Sequence, residues 1–135
     1  MTRAALLLVA AGTAWCPFAA GPDTSGVSVY EARLTLAKDD GGALAGVDRA
    51  ESPDVYYRVT LRDVPEGASL ALGCDWIDPN GAVAHQNRYV TRPADKRVWP
   101  TQCHRLFGPA ALAGTWRVQM SLDGRVLATT PFTVK

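Results

Sequence analysis

The 135-residue sequence lacks the features that would place it in a membrane or in a familiar enzyme class. No apolar run reaches the roughly twenty residues that a transmembrane helix needs. The sequence contains no nucleophile elbow, phosphate-binding loop, dinucleotide fingerprint or metalloprotease helix motif. No amphipathic run with a helical period extends beyond one or two turns. These absences predict a protein that has no transmembrane segment, binds no cofactor and is not an enzyme.

Basic and acidic residues are nearly balanced. The chain carries 14 basic and 13 acidic residues, which gives a formal net charge of +1 at pH 7. This balance argues against general binding to nucleic acids or membrane surfaces. Acidic residues predominate from Pro22 to Asn87 and basic residues from Arg88 to Lys135. Because strands from both halves interleave in a β-sandwich, we expect a mixed surface.

Residues 1–20 are predicted to be a signal peptide, and residues 21–135 the mature domain. Arg3 supplies the positive start, residues 4–11 form a short apolar core, and small residues follow. Cys16 raises the alternative of a lipid anchor, but Trp15 occupies a position where lipid-modifying processing requires a small residue. We therefore expect an exported protein, periplasmic or extracellular, without a lipid anchor.

Cysteine is scarce, and only Cys74 and Cys103 remain once the leader is removed. An even number of cysteines in an oxidising compartment indicates a disulfide. The alternative is a Cys₂His₂ metal site that also uses His85 and His104. The close ligand spacings of zinc sites are absent, however, and the neighbours Cys103 and His104 would point to opposite faces of a strand. The sequence favours one disulfide and no metal.

Strand-length apolar runs separated by turn residues fill the rest of the chain. Their number, about seven, is typical of a two-layer antiparallel β-sandwich, an all-β fold. The first run, residues 27–37, changes its apolar phase, which indicates a bulge or a strand that switches sheets. Residues 38–53 are polar and glycine-rich and are predicted to be a long loop. The weakly patterned run 82–91 suits an edge strand.

The clearest pattern is a hairpin formed by the last twenty-two residues, in which apolar and polar residues alternate. Burial of cross-strand partners on one face favours a three-residue loop, Leu122–Gly124, with a G1 bulge. Met120 would then face Val126. A two-residue turn at Asp123-Gly124 would instead place the apolar face of the first strand opposite the mixed polar and apolar face of the second. Pro131 has no N–H to donate, so we expect the ladder to break there.

Several motifs carry a resemblance to a known class of domain. They are Gly114-x-Trp116-x-Val118-x-Met120, Asp123-Gly124, Phe132-x-Val134 and Cys74-x-Trp76, with Asp78-x-Asn80-Gly81 and Cys103. This arrangement resembles immunoglobulin-like and fibronectin-III-like domains of exported bacterial proteins of unassigned function. It departs from antibody domains, where the tryptophan follows the first cysteine by about a dozen residues rather than two. The resemblance implies an immunoglobulin-like sandwich and carries over no functional residues.

The best candidate binding site is a basic stretch interleaved with aromatic residues. Its members are Arg88, Arg92, Arg97, Trp99 and Arg105. Arginine and aromatic residues are enriched in interface hot spots and in sites for anionic glycans. Trp76 and Trp116 fall on apolar faces and are predicted to be core, which leaves Trp99 as the tryptophan with a chance of exposure. The alternative is an ordinary basic edge with Trp99 packed over the disulfide.

Two further patterns support weaker hypotheses. Acidic residues cluster around the first long loop: Asp39, Asp40, Asp48, Glu51 and Asp54. Calcium would suit such carboxylates, but the alternating ligand spacing of a calcium loop is missing, so we expect a solvated loop. A hydrolytic triad built on His85 or His104 has no serine in a signature context.

The sequence therefore predicts an exported, non-catalytic module that recognises a protein or glycan partner. Recognition would use residues 88–105, with strand addition along the edge at 82–91. The alternatives are a structural or assembly accessory domain of the cell envelope and a small hydrolase.

Overall fold

The computed structural model describes residues 22–38 and 41–135, which form two β-sheets packed face to face. Eight strands follow in chain order: β1 (Ser28–Thr35), β2 (Gly46–Val47), β3 (Asp54–Arg62), β4 (Ala71–Ile77), β5 (Val83–Val90), β6 (Trp99–Leu106), β7 (Gly114–Leu122) and β8 (Arg125–Val134). One sheet has the order β1-β3-β6 and the other β2-β8-β7-β4-β5. The predicted two-layer, all-β sandwich is confirmed. The predicted signal peptide, Cys16, Asp39 and Asp40 lie outside the described residues.

The core lies between the sheets because every second residue of the long strands points inward. Phe107 is completely buried at its centre. Its ring meets those of Trp116, Phe132 and Trp76 edge-on, with centroids 5.0, 5.5 and 5.9 Å away. Such edge-to-face contacts add to the stabilisation that burial provides. Trp76 and Trp116 are therefore core residues, as predicted. Within the described ranges, no helix has the length and hydrophobicity needed to cross a bilayer.

A disulfide joins the two sheets. It links Cys74 of β4 to Cys103 of β6, whose Cα atoms lie 6.5 Å apart, and it confirms the predicted pairing. Because both sulfur atoms are used in the bridge, neither is available to the Cys₂His₂ site considered as the alternative. No group of three or more His, Cys, Asp and Glu side chains in residues 22–38 and 41–135 is arranged to hold a metal ion.

The closing hairpin has the predicted face pairing but a different turn. Asp123 and Gly124 both have positive φ, 49° and 81°, and Leu122 pairs with Arg125. This is the two-residue type I′ geometry, whose twist matches that of the flanking strands. The predicted three-residue loop is wrong. A register shift between Met120 and Ser121 keeps the apolar residues of both strands on the inner face instead. Met120 consequently faces Ala128 and not, as was predicted, Val126.

Pro131 does not end the ladder, and this expectation is also wrong. Pro131 pairs with Arg117, and the pairing continues to Val134. The N–H of Thr133 donates to the carbonyl of Ala45, on the side of β8 away from β7. Alternate residues of a strand direct their amides to the same side, so the nitrogen of Pro131 also faces away from β7. A proline there removes no bond from the hairpin.

The phase change predicted in the first strand is a bulge between Val29 and Glu31. The prediction of one long loop over residues 38–53 is wrong. The segment contains β2, which pairs in parallel with β8, and a 3₁₀ turn at Arg49–Glu51. The chain thus leaves the three-stranded sheet after β1 and joins the five-stranded sheet at β2. At the other end of that sheet lies β5, which is the predicted edge strand.

Candidate binding surface

The basic stretch predicted from the sequence comprises the end of β5, the following loop and β6. These two strands end different sheets on the same side of the sandwich. The side-chain amide of Asn87 donates to the carbonyl of His104 at 3.2 Å, and the hydroxyls of Tyr89 and Thr101 share a hydrogen bond of 2.5 Å. The two edges are therefore joined by side chains.

Arg92 and Trp99 lie together at one end of this surface. The guanidinium carbon of Arg92 lies 5.1 Å from the centroid of the Trp99 ring, a cation–π distance. Trp99 itself is only 8% exposed. The expected exposure of Trp99 is wrong, because the residue opens β6 on its inner face, paired with Leu61 in the register of the sheet. A ligand at this point would meet the arginine rather than the indole.

Arg97 belongs to the loop before β6. Its backbone carbonyl accepts a hydrogen bond from the amide of Val64 at 3.0 Å, and its guanidinium approaches the carboxylate of Asp63 at 3.4 Å. The Arg97 side chain is 79% exposed. An ion pair so exposed to solvent stabilises a fold by about 1 kcal/mol at most.

Arg105 lies at the opposite end of β6 from Trp99. Its guanidinium carbon is 4.6 Å from the ring centroid of Trp116 and 4.7 Å from that of Phe107. Burial lowers the pKa of Arg105 below its ordinary value, while the negative charge of Asp78 acts in the opposite direction. Six residues of strand separate Arg105 from Trp99, about 20 Å at the usual rise. Arg105 therefore does not share a site with Arg92 and Trp99.

Arg88 lies on the outer face of the five-stranded sheet. It pairs with Asp75 at 2.8 Å and donates to the carbonyls of Asn87 and Cys74 at 2.7 and 3.3 Å. Its side chain crosses Gly73, where a Cβ atom would come within 2.5 Å of the guanidinium. The absence of a side chain at Gly73 therefore allows Arg88 to lie flat and be held by Asp75.

A shallow hollow of about 540 Å³ lies beside Arg88 on the same face. Its walls include Ala71, Gly73, Val90, Ser121 and Val126. Small residues on adjacent strands leave this depression because their side chains do not fill the outer face. Of the five residues predicted as one site, the structure thus brings Arg92 and Trp99 into contact, pairs Arg97 with Asp63, and places Arg88 and Arg105 elsewhere.

The edge of β5 is less protected than the other sheet edges in the described part of the chain. β2 has two residues, β1 carries a bulge and β6 contains Pro100, all of which hinder pairing with another strand. β5 has eight residues without a proline, and Arg88 is its only Lys, Arg, Asp or Glu. Its bulge lies at its beginning, where Trp76 pairs with His85 and Ile77 with Val83. The rest of the strand is a regular, solvent-exposed edge.

The backbone orientation of β5 follows from its last contact with β4. The amide of Thr91 donates to the carbonyl of Leu70 at 2.9 Å, which continues the register of the two strands. By strand alternation, the amides and carbonyls of Gln86, Arg88 and Val90 therefore face away from β4. Val90 is 69% exposed. The apolar alternation in the sequence identifies the edge but not which backbone groups are open.

The two histidines of the triad hypothesis lie near the same side of the molecule. His104 Nδ1 is 3.0 Å from a carboxylate oxygen of Asp54, and its ring stacks on Tyr56 at 4.8 Å. His85 approaches the side chain of Asn87 at 3.5 Å. In the described chain, neither histidine has a serine as a hydrogen-bond partner. The geometry offers an acid–imidazole pair without a nucleophile beside it.

No protein-family model matches the sequence, and no curated protein matches it either. Among solved structures, the chain is similar to an immunoglobulin-like protein from Pseudomonas aeruginosa. The TM-score is 0.54 at 16% identity, and the match covers 81% of this chain and 96% of that one. The fold is immunoglobulin-like.

A second similar structure is the alkylpurine DNA glycosylase AlkC from Pseudomonas fluorescens, bound to DNA containing an abasic-site analogue. The TM-score is 0.57 at 12% identity, with 81% of this chain and 30% of that chain covered. The immunoglobulin-like chain thus matches less than a third of the glycosylase's length. A likeness at this identity shows the fold alone.

Compared with other immunoglobulin-like domains, two features of the chain stand out. β5 occupies the position of the strand that extends the sheet beyond strand C in variable-type domains. The disulfide joins β4 to β6, whereas the conserved bridge of antibody domains joins strands B and F, which correspond to β3 and β7 here. The bridge therefore fastens the two sheets beside the open edge.

Proposed function

We propose that this immunoglobulin-like sandwich is an exported, non-catalytic module that binds an extended segment of a partner protein by strand addition to β5. The observation that carries the proposal is the open backbone of β5 at Gln86, Arg88 and Val90. Strand addition uses main-chain hydrogen bonds for affinity and alternate side chains for selectivity. A protein partner is favoured over a glycan because this surface offers backbone pairing.

Side chains beside the edge would select the bound segment. Arg88 is already held by Asp75 and Gly73, so little conformational entropy is lost when it meets an acidic or amide side chain. Val90 and the hollow beside it suit an apolar side chain two positions further along the bound segment. Arg92, stacked on Trp99, extends the positively charged surface past the end of β5.

Export is supported by the disulfide, because such bridges persist in oxidising compartments. The test is the N-terminal sequence of the mature protein isolated from cells. Loss of about twenty residues supports export through a signal peptide. A mature chain that begins at Met1 and carries free thiols at Cys74 and Cys103 would contradict it.

Strand addition is tested by Gln86→Pro with Gln86→Ala as its matched control. Both variants lose the hydrogen bond from Gln86 to Asp75, but only proline removes the outward N–H. Extended peptides selected by display on the full chain serve as probes. We expect proline to weaken their binding by about tenfold or more, and alanine by less than about threefold. Equal affinities for the two variants would overturn the proposal.

The structural or assembly alternative is favoured by the same edge, since two β5 strands can pair antiparallel across a two-fold axis. A register centred on Asn87 places Gln86 opposite Arg88 of a second copy. Light scattering on the purified protein separates the two functions. A dimer that Gln86→Pro dissociates supports assembly, whereas a monomer that binds peptides through β5 supports recognition.

A further inference from the structure

The outer face of the three-stranded sheet carries two arginines directly opposite each other. Arg33 of β1 pairs with Arg58 of β3, and Gln102 of β6 flanks Arg58 on its other side. Like charges at directly opposed positions destabilise a sheet. A negative charge beside the pair would therefore stabilise this part of the sheet.

The described chain supplies little of that charge. Arg33 has a long contact of 3.9 Å with Glu31 at the surface. Arg58 has no ion pair with any acidic residue of the described ranges, and its Nη1 atom is buried without a hydrogen-bond partner. A buried, charged donor left without an acceptor costs more free energy than a neutral one.

Among the described arginines, Arg105 also has a buried Nη1 atom without a hydrogen-bond partner. Arg62 lies on the same strand and the same face as Arg58, and its Nε donates to the hydroxyl of Ser28 at 2.9 Å. Arg88, on the opposite sheet, is paired with Asp75. Arg105 differs from Arg58 because its guanidinium lies over the rings of Phe107 and Trp116, whereas Arg58 lies on the outer face of a sheet.

The two arginines open onto a hollow of about 430 Å³. Its walls also include Glu31, Lys38, Thr60 and Gln102. Among the described residues of its wall, three cationic side chains face one carboxylate, an excess of two positive charges. The two guanidinium groups, the Thr60 hydroxyl and the Gln102 amide supply hydrogen-bond donors from β1, β3 and β6. Guanidinium groups bind phosphate oxygens in a bidentate manner, and donors on three strands can reach the several oxygens of one tetrahedral anion.

We infer that this hollow binds a tetrahedral oxyanion, a phosphate or sulfate group, between Arg33 and Arg58. The site lies on the sheet opposite β5, so it is independent of the proposed strand addition. A dianion there neutralises the excess positive charge of the described wall residues.

The inference is tested with the full mature chain and inorganic phosphate and sulfate, followed by calorimetry and NMR. Sodium chloride at matched ionic strength controls for charge screening. We expect saturable binding of both oxyanions, with signals from the Arg33 and Arg58 side chains shifting together. Arg58→Gln should weaken binding by about tenfold or more, and the matched control Arg62→Gln by less than about twofold. Equal losses in the two variants, or the same response to chloride, would overturn the inference.

A stability measurement keeps the test valid if one variant is altered in folding. Without oxyanions, Arg33→Gln and Arg58→Gln should unfold at the same temperature as the natural chain or above it, since each removes a repulsion. Phosphate should raise the unfolding temperature of the natural chain and of Arg62→Gln only. Lower unfolding temperatures of both site variants, without any change in oxyanion response, would assign the arginines a packing role and overturn the inference.

Glucose 6-phosphate and glucose 6-sulfate distinguish the source of the group. An ester that binds more tightly than its free anion supports a site for a phosphorylated or sulfated ligand. Tighter binding of the free anions supports a site for the ion itself. Failure of all four compounds to bind would overturn the inference.

Discussion

β5 and β6 are edge strands on the same side of the sandwich, yet they are held in different ways. β6 is fastened from within, since Trp99 and Cys103 are buried and Cys103 is bonded to β4. β5 is exposed along most of its length and depends on its ladder with β4 and a few side-chain hydrogen bonds. Pro100 interrupts the outer edge of β6, whereas β5 has no comparable protection.

This difference indicates that the local stability of the sandwich differs between its two neighbouring edges. Strands with few buried contacts open at a lower free energy than the rest of a fold. β6 closes the core and keeps the sheets together, so under the proposed strand addition β5 would adjust to a partner strand without disturbing β6. The side-chain links between β5 and β6 then determine how far that adjustment reaches into the core.

Removal of the disulfide should have the largest effect on this pair of strands. The bridge closes a loop over a sequence separation of 29 residues. Replacing Cys74 and Cys103 together by alanine should therefore lower the free energy of unfolding by about 3.5 kcal/mol on the chain-entropy estimate. Urea denaturation of the oxidised protein measures it, with reduced natural protein as the control. A loss below about 1 kcal/mol would mean that packing alone holds β6 in place.

Asn87→Ala should weaken the attachment of β5 at its centre. The side-chain oxygen of Asn87 accepts a hydrogen bond from the indole N–H of buried Trp76 at 2.7 Å, and its amide donates to His104. Alanine leaves the indole without an acceptor, which should cost about 2 kcal/mol. Urea denaturation again gives the value.

Asn87→Asp is the matched control, because it keeps the acceptor for the indole and loses the amide donor to His104, together with the long contact to His85. It should retain most of the stability that alanine loses. If aspartate and alanine are equally destabilising, the link to β6 rather than the support of Trp76 dominates, and the two edges are more strongly coupled than the comparison implies.

Strands with one uniformly apolar face could be predicted from the sequence. β3, β4 and β7 alternate clearly because their inward residues are nearly all large and apolar. β6 is harder to recognise, since its inward positions include Thr101 and Arg105 as well as Trp99 and Cys103. The pattern of β5 revealed an edge for the converse reason, namely that few of its residues are buried.

The candidate sites were less predictable because they depend on register and parity. Closeness in sequence grouped Arg88 with Arg105, but one faces outward from the five-stranded sheet and the other covers the core aromatics. Arg33 and Arg58 carry no sequence signal at all, since their pairing follows from the alignment of β1 with β3 after a bulge. Turn type at Asp123-Gly124 was missed because a bulge elsewhere in the hairpin corrects the parity.

The smallest effect concerns the hydroxyl link between the two edges. Burial raises the pKa of Tyr89, and the hydrogen bond with Thr101 only partly opposes this. The folded state therefore favours the neutral phenol, so its contribution to stability is complete below the unfolded pKa of about 10 and is lost as the pH rises through the folded pKa.

Tyr89→Phe should lower the free energy of unfolding by about 1 kcal/mol at neutral pH and reduce its decline above about pH 10. Tyr57, whose pKa burial also raises and whose hydroxyl bonds to Thr130 between β3 and β8, provides the matched variant Tyr57→Phe away from these edges. Hydrogen exchange should then speed up in β5 of Tyr89→Phe and leave β6 protected, because the disulfide holds β6 without the phenol. Equal acceleration in both strands would show that the edges open as one unit. Binding of a partner strand to β5 would then also change the stability of β6 and of the core beneath it.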